Sequence, residues 1–285
     1  MLEMLINPRK AERKSWELFF VGAFYASLSI LLVNWIFSQD AVLSRYSGML
    51  VVTFTVMLSI PFVYYTIRLE EKKISESSGA FALLKEHKKA IYAFIWLFLG
   101  FVIALSFWYI MLSSTLSFRA QIETYCLINK PTSYDSCVQQ YQIKDATAPV
   151  GFLSNTERLF LIFTNNIYVL IFTLIFSLIF GAGVIFVLAW NASVIAAAIG
   201  IFTKSELSVL PLALVRYMIH GIPEIASYFI VALAGGILGI GVIRHGVLNK
   251  QFLKIAKHSF FLFLASVVIL IIAAFVEVYI TPLLF

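Results

Sequence analysis

Between Arg158 and Lys204 the chain runs for 45 residues without a charged side chain: "LFLIFTNNIYVLIFTLIFSLIFGAGVIFVLAWNASVIAAAIGIFT". A helix crosses the ~30 Å hydrocarbon layer of a bilayer with about 20 apolar residues. The run is therefore too long for one crossing and long enough for two. Inside lipid every backbone N–H and C=O needs an internal partner, which leaves helices or closed barrels. Barrel strands alternate apolar and polar residues over ~10-residue segments, and this run is continuous. It reads as two helices, and "GAG", Gly181 to Gly183, is where the chain can turn.

The rest of the sequence repeats the signal. Hydrophobic residues make up 61% and charged residues 13% of the 285, against about 25% charged in soluble domains. The fold class expected is an all-α, polytopic helical membrane protein with about seven spans, roughly 16–37, 47–67, 91–113, 159–180, 184–202, 222–243 and 259–280. The first span follows a basic flank, but it is too long for a signal-peptide core and lacks a small-residue cleavage site, so it reads as retained. Three regions result: an N-terminal three-span region (1–113), a loop expected outside the cell (114–158) and a C-terminal membrane domain (159–285).

With seven spans, fourteen Lys and Arg fall on the side of the N-terminus and seven on the other. Basic loops stay cytoplasmic, which predicts a multi-pass cell-membrane protein with a cytoplasmic N-terminus and an extracellular C-terminus. The net charge of +6 is accordingly a topology signal. No basic patch is interleaved with aromatics, so nucleic acid is not an expected partner. Cys126 and Cys137 share the outer loop, and two nearby cysteines in an oxidising compartment predict a disulfide. The loop has no His, which argues against a metal there. "RLEEKKISESSGAFALLKEHKKA" reads as a charged connector, a helical hairpin or an extension of its neighbouring spans, turning at Gly79. "MLEMLIN" reads as a short segment lying in the membrane interface.

Polar groups inside spans are costly and mark functional candidates. Six qualify: Asn165 and Asn166 early in the fourth span, Asn191 in the fifth, His220 and Glu224 at the start of the sixth, and Glu277 near the end of the seventh. At ~1.5 Å rise per residue, Glu277 lies about 5 Å and the Asn165–Asn166 pair about 10 Å from the outer ends of their spans. One shared outer-half polar cluster is therefore expected, either a structural hydrogen-bonded knot or a site for an ion, proton or solute. In "HGIPE", Gly221 permits a sharp approach and Pro223 suits a helix first turn. The stretch predicts a helix break, with a re-entrant or half-helical piece before the sixth span. Gly235 and Gly239, and Ala196 and Gly200, stand at small-xxx-small spacing and predict close helix packing, within the chain or across a homo-oligomer.

An ordered series of these elements resembles the stage II sporulation protein M family: "FTNN", "GAG", an Asn in the fifth span, "HGIPE", "AGG" and "AAFVEVYITP". The resemblance covers roughly 160–282. It departs at Asn191-Ala192, where the family pattern has Asn-Gly. The resemblance implies a membrane domain and the polar positions His220, Glu224 and Glu277, together with Asn165, Asn166 and Asn191. It also implies a scaffold, since bacterial relatives resemble engulfment scaffolds working with cell-wall hydrolases.

The leading expectation is a non-enzymatic scaffold or regulator of envelope protein partners, acting as a homo-oligomer in the lipid bilayer, without cofactor, metal or catalytic residues. The alternative is a channel or transporter using the outer-half cluster. The third is an intramembrane metal-dependent hydrolase built on His220, Glu224 and Glu277. A continuous polar cavity at the cluster favours transport, whereas a collapsed and fully paired cluster favours scaffolding.

Overall fold

A computed structural model describes residues 14–40, 42–71, 80–112, 116–129, 134–142, 155–180, 184–203, 208, 210–246 and 248–284. The expected turns at Gly79 and at Gly181–Gly183, and the interfacial segment before Pro8, lie outside the described residues.

The described elements are helical. The long ones are α1 (Glu17–Phe37), α2 (Ser47–Glu71), α3 (Ala80–Met111), α6 (Asn155–Phe180), α7 (Val184–Thr203), α8 (Leu210–His245) and α9 (Lys250–Phe275). Two short helices, α4 (Arg119–Asn129) and α5 (Tyr134–Gln142), lie between the third and fourth spans. A π-helical turn (Val276–Ile280) and α10 (Thr281–Leu284) close the described chain. Six helices are long and apolar enough to cross a membrane, and the apolar stretch Ile185–Ile201 of α7 is shorter. This is an all-α, polytopic membrane protein.

Burial ranks the helices. The apolar window of α8 is 78% buried and that of α6 only 17%, so α8 is the central post and α6 runs along the periphery. Phe229 of α8 stacks on Phe94 of α3 with ring centroids 5.3 Å apart, which couples the two halves of the chain. Close approaches are made by glycines. Side chains added at Gly22 and Gly100 would meet backbone of the facing helix, at Leu97 and Phe19, so α1 and α3 touch main chain to main chain. Gly235 and Gly239 do the same for α8 and α6: a Cβ would stand 2.6 Å from the Leu174 carbonyl and 2.5 Å from that of Leu178. This glycine seam is thus an intrachain contact. Gly200 of α7 lies under the Tyr109 ring of α3, and Ala196 is wholly buried.

The structure corrects the expectation at "HGIPE". No helix starts there, and α8 is one continuous helix from Leu210 to His245 with Gly221 and Pro223 inside it. Proline removes one i→i−4 bond and crowds the preceding turn, but neighbouring helices and polar side chains make such a residue tolerable inside a bundle. Pro61 sits inside α2 in the same way. Among the described residues there is no half-helix ahead of the sixth span, which instead begins twelve residues earlier than hydropathy suggested. In α2, α3 and α9 the helix likewise outruns its apolar core, reaching Glu71, starting at Ala80 and starting at Lys250. These extensions give the bundle two polar ends. The end carrying α4 and α5 is called the lid end below, and the end carrying Glu71, His87 and His245 the far end.

Candidate functional site

At the lid end, a partly open cavity of about 300 Å³ is lined by all six polar residues singled out in the sequence: Asn165, Asn166, Asn191, His220, Glu224 and Glu277. They arrive on α6, α7, α8 and the π-helical turn after α9. Gly221 lines the same cavity, on the face where it lies inside α8. Glu277 owes its position to the π-turn, a one-residue widening that re-aims side chains and recurs at functional sites. Asn166 is buried, while His220, Glu224, Glu277 and Asn191 are half-buried, as expected of side chains facing a void.

The hydrogen bonds show which of these groups are tied down. Tyr228 donates its hydroxyl to Glu224 Oε1 at 2.9 Å. His220 Nδ1 and Thr281 Oγ1 stand 3.3 Å apart, joining α8 to α10. Asn165 donates to Asn166 Oδ1 at 3.3 Å. Asn191 is turned to its own helix and donates to the Val187 carbonyl at 2.8 Å. Glu224 and Glu277 are close enough to interact electrostatically. His220, Glu224 and Glu277 do not bring ligand atoms to one ion-sized point. Among the described residues, the one group of His, Cys, Asp or Glu that close together is Glu86, His87 and His258, at the far end.

Sequence reasoning did not see the cover of the cavity. Tyr125 and Leu127 of α4 line it from the loop side. Tyr125 hydrogen-bonds the Tyr217 side chain of α8, and burial pushes the Tyr125 phenol up to about 12. The lid is a stapled unit. Cys126 and Cys137 form a disulfide joining α4 to α5, with Cα atoms 5.8 Å apart. Gln121 seats the lid by donating to the Gly48 carbonyl at 3.0 Å and to Ser193 Oγ at 3.2 Å. The loop between α1 and α2 is braced internally, as Asp40 accepts from the backbone N–H groups of Val42 and Leu43.

The disulfide spans 11 positions, a loop length whose closure contributes about 2–3 kcal/mol. Cys126→Ser and Cys137→Ser are each expected to loosen the lid without unfolding the bundle. Limited proteolysis should cut within 119–142 faster in either variant than in the oxidised protein. Mass spectrometry of non-reduced protein showing two free thiols would contradict the staple itself.

A second polar group was missed in the sequence and sits at the far end. Glu70 of α2, His87 of α3 and His258 of α9 are buried and in line: His87 Nδ1 and Glu70 Oε2 stand 2.5 Å apart, and the Nε2 atoms of His87 and His258 2.8 Å apart. Beside them Arg244 of α8 donates to Glu71 Oε2 at 2.7 Å. About twenty residues of α8 separate Glu224 from Arg244, so the two polar ends lie about 30 Å apart by helical rise, the thickness of a bilayer core.

Fold and site together define a polytopic helical membrane protein with a lidded polar cavity near one face and a buried charged belt near the other. The family model for stage II sporulation protein M matches residues 18–282, nearly the whole chain, and the chain belongs to that family. The match takes in the first three spans as well as the C-terminal stretch that carried the resemblance. No curated protein and no solved structure matches the chain.

Proposed function

We propose that this chain is a non-enzymatic membrane protein that receives a small, cation-bearing polar solute in its lid-end cavity, as a channel or transporter does, with the lid end facing out of the cell. The observation that supports this is the cavity. Its volume of about 300 Å³ lies at the small end of ligand pockets. The acidic and basic side chains lining it are two carboxyl groups and one imidazole, which favours a cationic group, while three asparagines offer neutral hydrogen bonds. The outward orientation rests on the excess of Lys and Arg on the other side of the spans, with a cytoplasmic N-terminus and an extracellular C-terminus, and on the disulfide in the lid.

The test is ligand-dependent stability. Methylammonium, guanidinium and choline are titrated onto the purified full chain while its unfolding is followed. A solute at 100 times its Kd stabilises by about 2.7 kcal/mol. At least one probe should raise the unfolding temperature saturably, and Glu224→Gln with Glu277→Gln should remove the effect. Counterflow of that probe in proteoliposomes then reports passage across the membrane. Absence of a shift with all three cations overturns the reading.

A second reading, a scaffold or regulator of envelope partners acting as a homo-oligomer, is favoured by the His220–Thr281 contact, which ties part of the polar cluster into a structural link between α8 and α10. On that reading Glu224→Gln with Glu277→Gln leaves assembly unchanged and His220→Ala disturbs it.

A further inference from the structure

We propose that His87, His258 and Glu86 form a binding site for one divalent transition-metal ion of the zinc type, with Glu70 as the positioning residue behind His87. The three ligand atoms lie within 4.8 Å of one another. Two come from α3 and one from α9, so the ion ties the N-terminal three helices to the C-terminal half at the far end.

The geometry of the imidazoles carries the argument. An ionised carboxylate only accepts hydrogen bonds, so the Nδ1–H of His87 donates to Glu70. The lone pair of His87 is then on Nε2, which faces Nε2 of His258 at 2.8 Å. A carboxylate that fixes the tautomer and plane of a histidine, and makes its other nitrogen more basic, is the usual second partner of a metal-bound imidazole. On a tetrahedral zinc ion with Zn–N bonds of ~2.0–2.1 Å, two nitrogens stand about 3.3 Å apart. Loading therefore asks the two rings to part by about half an ångström, within reach of a side-chain adjustment. Glu86 is half-buried at the rim, which suits a carboxylate closing the third position. Two neutral imidazoles and one carboxylate suit zinc and its first-row neighbours better than calcium or magnesium, which prefer oxygen. Three protein donors leave a fourth position for water or a small ligand.

Charge supports the assignment. The rings and Glu70 are buried, and the flanking Lys88, Lys89 and Lys257 are exposed. Arg244 is engaged with Glu71 and Lys254 is half-buried, so the buried titratable groups at this end are Glu70, Glu71, His87 and His258, a donor set that gains from a cation. The site is distinct from the lid-end cavity, and its test does not depend on the proposed solute.

The experiment uses tag-free full chain in detergent, stripped with EDTA and dialysed. Zn²⁺ is added and its stoichiometry measured by elemental analysis after gel filtration, and Co²⁺ is added to read its ligand-field absorption. One Zn²⁺ per chain is expected, with a Co²⁺ spectrum of a low-coordinate nitrogen and oxygen site. His258→Gln should lose the ion, Glu86→Gln and Glu70→Gln should weaken binding about 10–100-fold, and His220→Ala at the lid end should bind as the parent does. Wild-type protein that takes up no Zn²⁺ or Co²⁺ overturns the proposal and leaves a hydrogen-bonded histidine pair. So does binding that survives His258→Gln, or that is lost in His220→Ala.

Discussion

His87→Ala is expected to cost about 3–5 kcal/mol of folded stability, the loss seen when a buried carboxylate loses its hydrogen-bonded partner. His87 and Glu70 are both fully buried, and the substitution leaves the Glu70 carboxylate and the Nε2 of His258 without the ring between them. Most of the cost is burying a carboxylate with one fewer hydrogen-bond donor rather than the net worth of the bond. Glu70→Gln should cost less, because the amide oxygen still accepts from His87 Nδ1. The double substitution His87→Leu with Glu70→Leu should recover most of the loss, since apolar replacement of a buried pair is often neutral. Denaturation in SDS of the parent, His87→Leu, Glu70→Leu and the double variant, treated as a double-mutant cycle, measures the coupling. Additive single costs would show that the two residues do not act as a pair.

The far-end belt also shows what could be read in the sequence and how it was missed. Hydropathy stops where lysines begin, so Glu70, His87 and His258 fell into connectors. Helical periodicity does not stop there. In α3 one stripe of buried positions runs 87, 90, 91, 94, 97, 98 and 101, with Ala93 and Gly100 buried beside it, and in α9 one runs 255, 258, 259, 262, 265 and 266. Both follow the three- and four-residue spacing of one helix face. Extending each apolar stripe one turn past the hydrophobic segment places both histidines on the core side. The same step in α2 leads from Val63, Thr66 and Ile67 to Glu70 and Glu71.

The lid-end residues were legible for the opposite reason. An Asn or Glu surrounded by Leu, Ile and Phe stands out, and lipid cannot solvate it, so grouping by depth pointed to one place. What depth could not give was the lid. Tyr125 and Tyr217 are two of 13 tyrosines, and tyrosine at a membrane boundary is ordinary. The error at Pro223 came from treating a local cost of ~3 kcal/mol as decisive. The most buried span of the chain has neighbours on most of its surface, and their packing holds the helix through it.

Those neighbours also set the second large effect. Gly239→Leu is expected to cost about 3 kcal/mol, the upper end of ordinary overpacking. The obstacle is the Leu178 carbonyl of α6, 2.5 Å from where a Cβ would stand. A crowded side chain can change rotamer, but a main-chain carbonyl inside a helix moves only with its helix. α6 must therefore retreat from α8, and in retreating it carries Asn165 and Asn166 away from the cavity they share with Glu224. Gly235→Leu meets the same helix one turn earlier, at Leu174. Once either substitution has pushed α6 away, the other finds room, so the double variant should cost clearly less than the sum of the singles. Gly221→Ala is the matched control, because a Cβ there meets only the tip of Met218 at 3.9 Å. Unfolding free energies of the four glycine variants decide the matter. Strictly additive losses, or a Gly221→Ala cost equal to that of Gly239→Leu, would mean that the seam between α6 and α8 is not the close contact that holds one wall of the cavity.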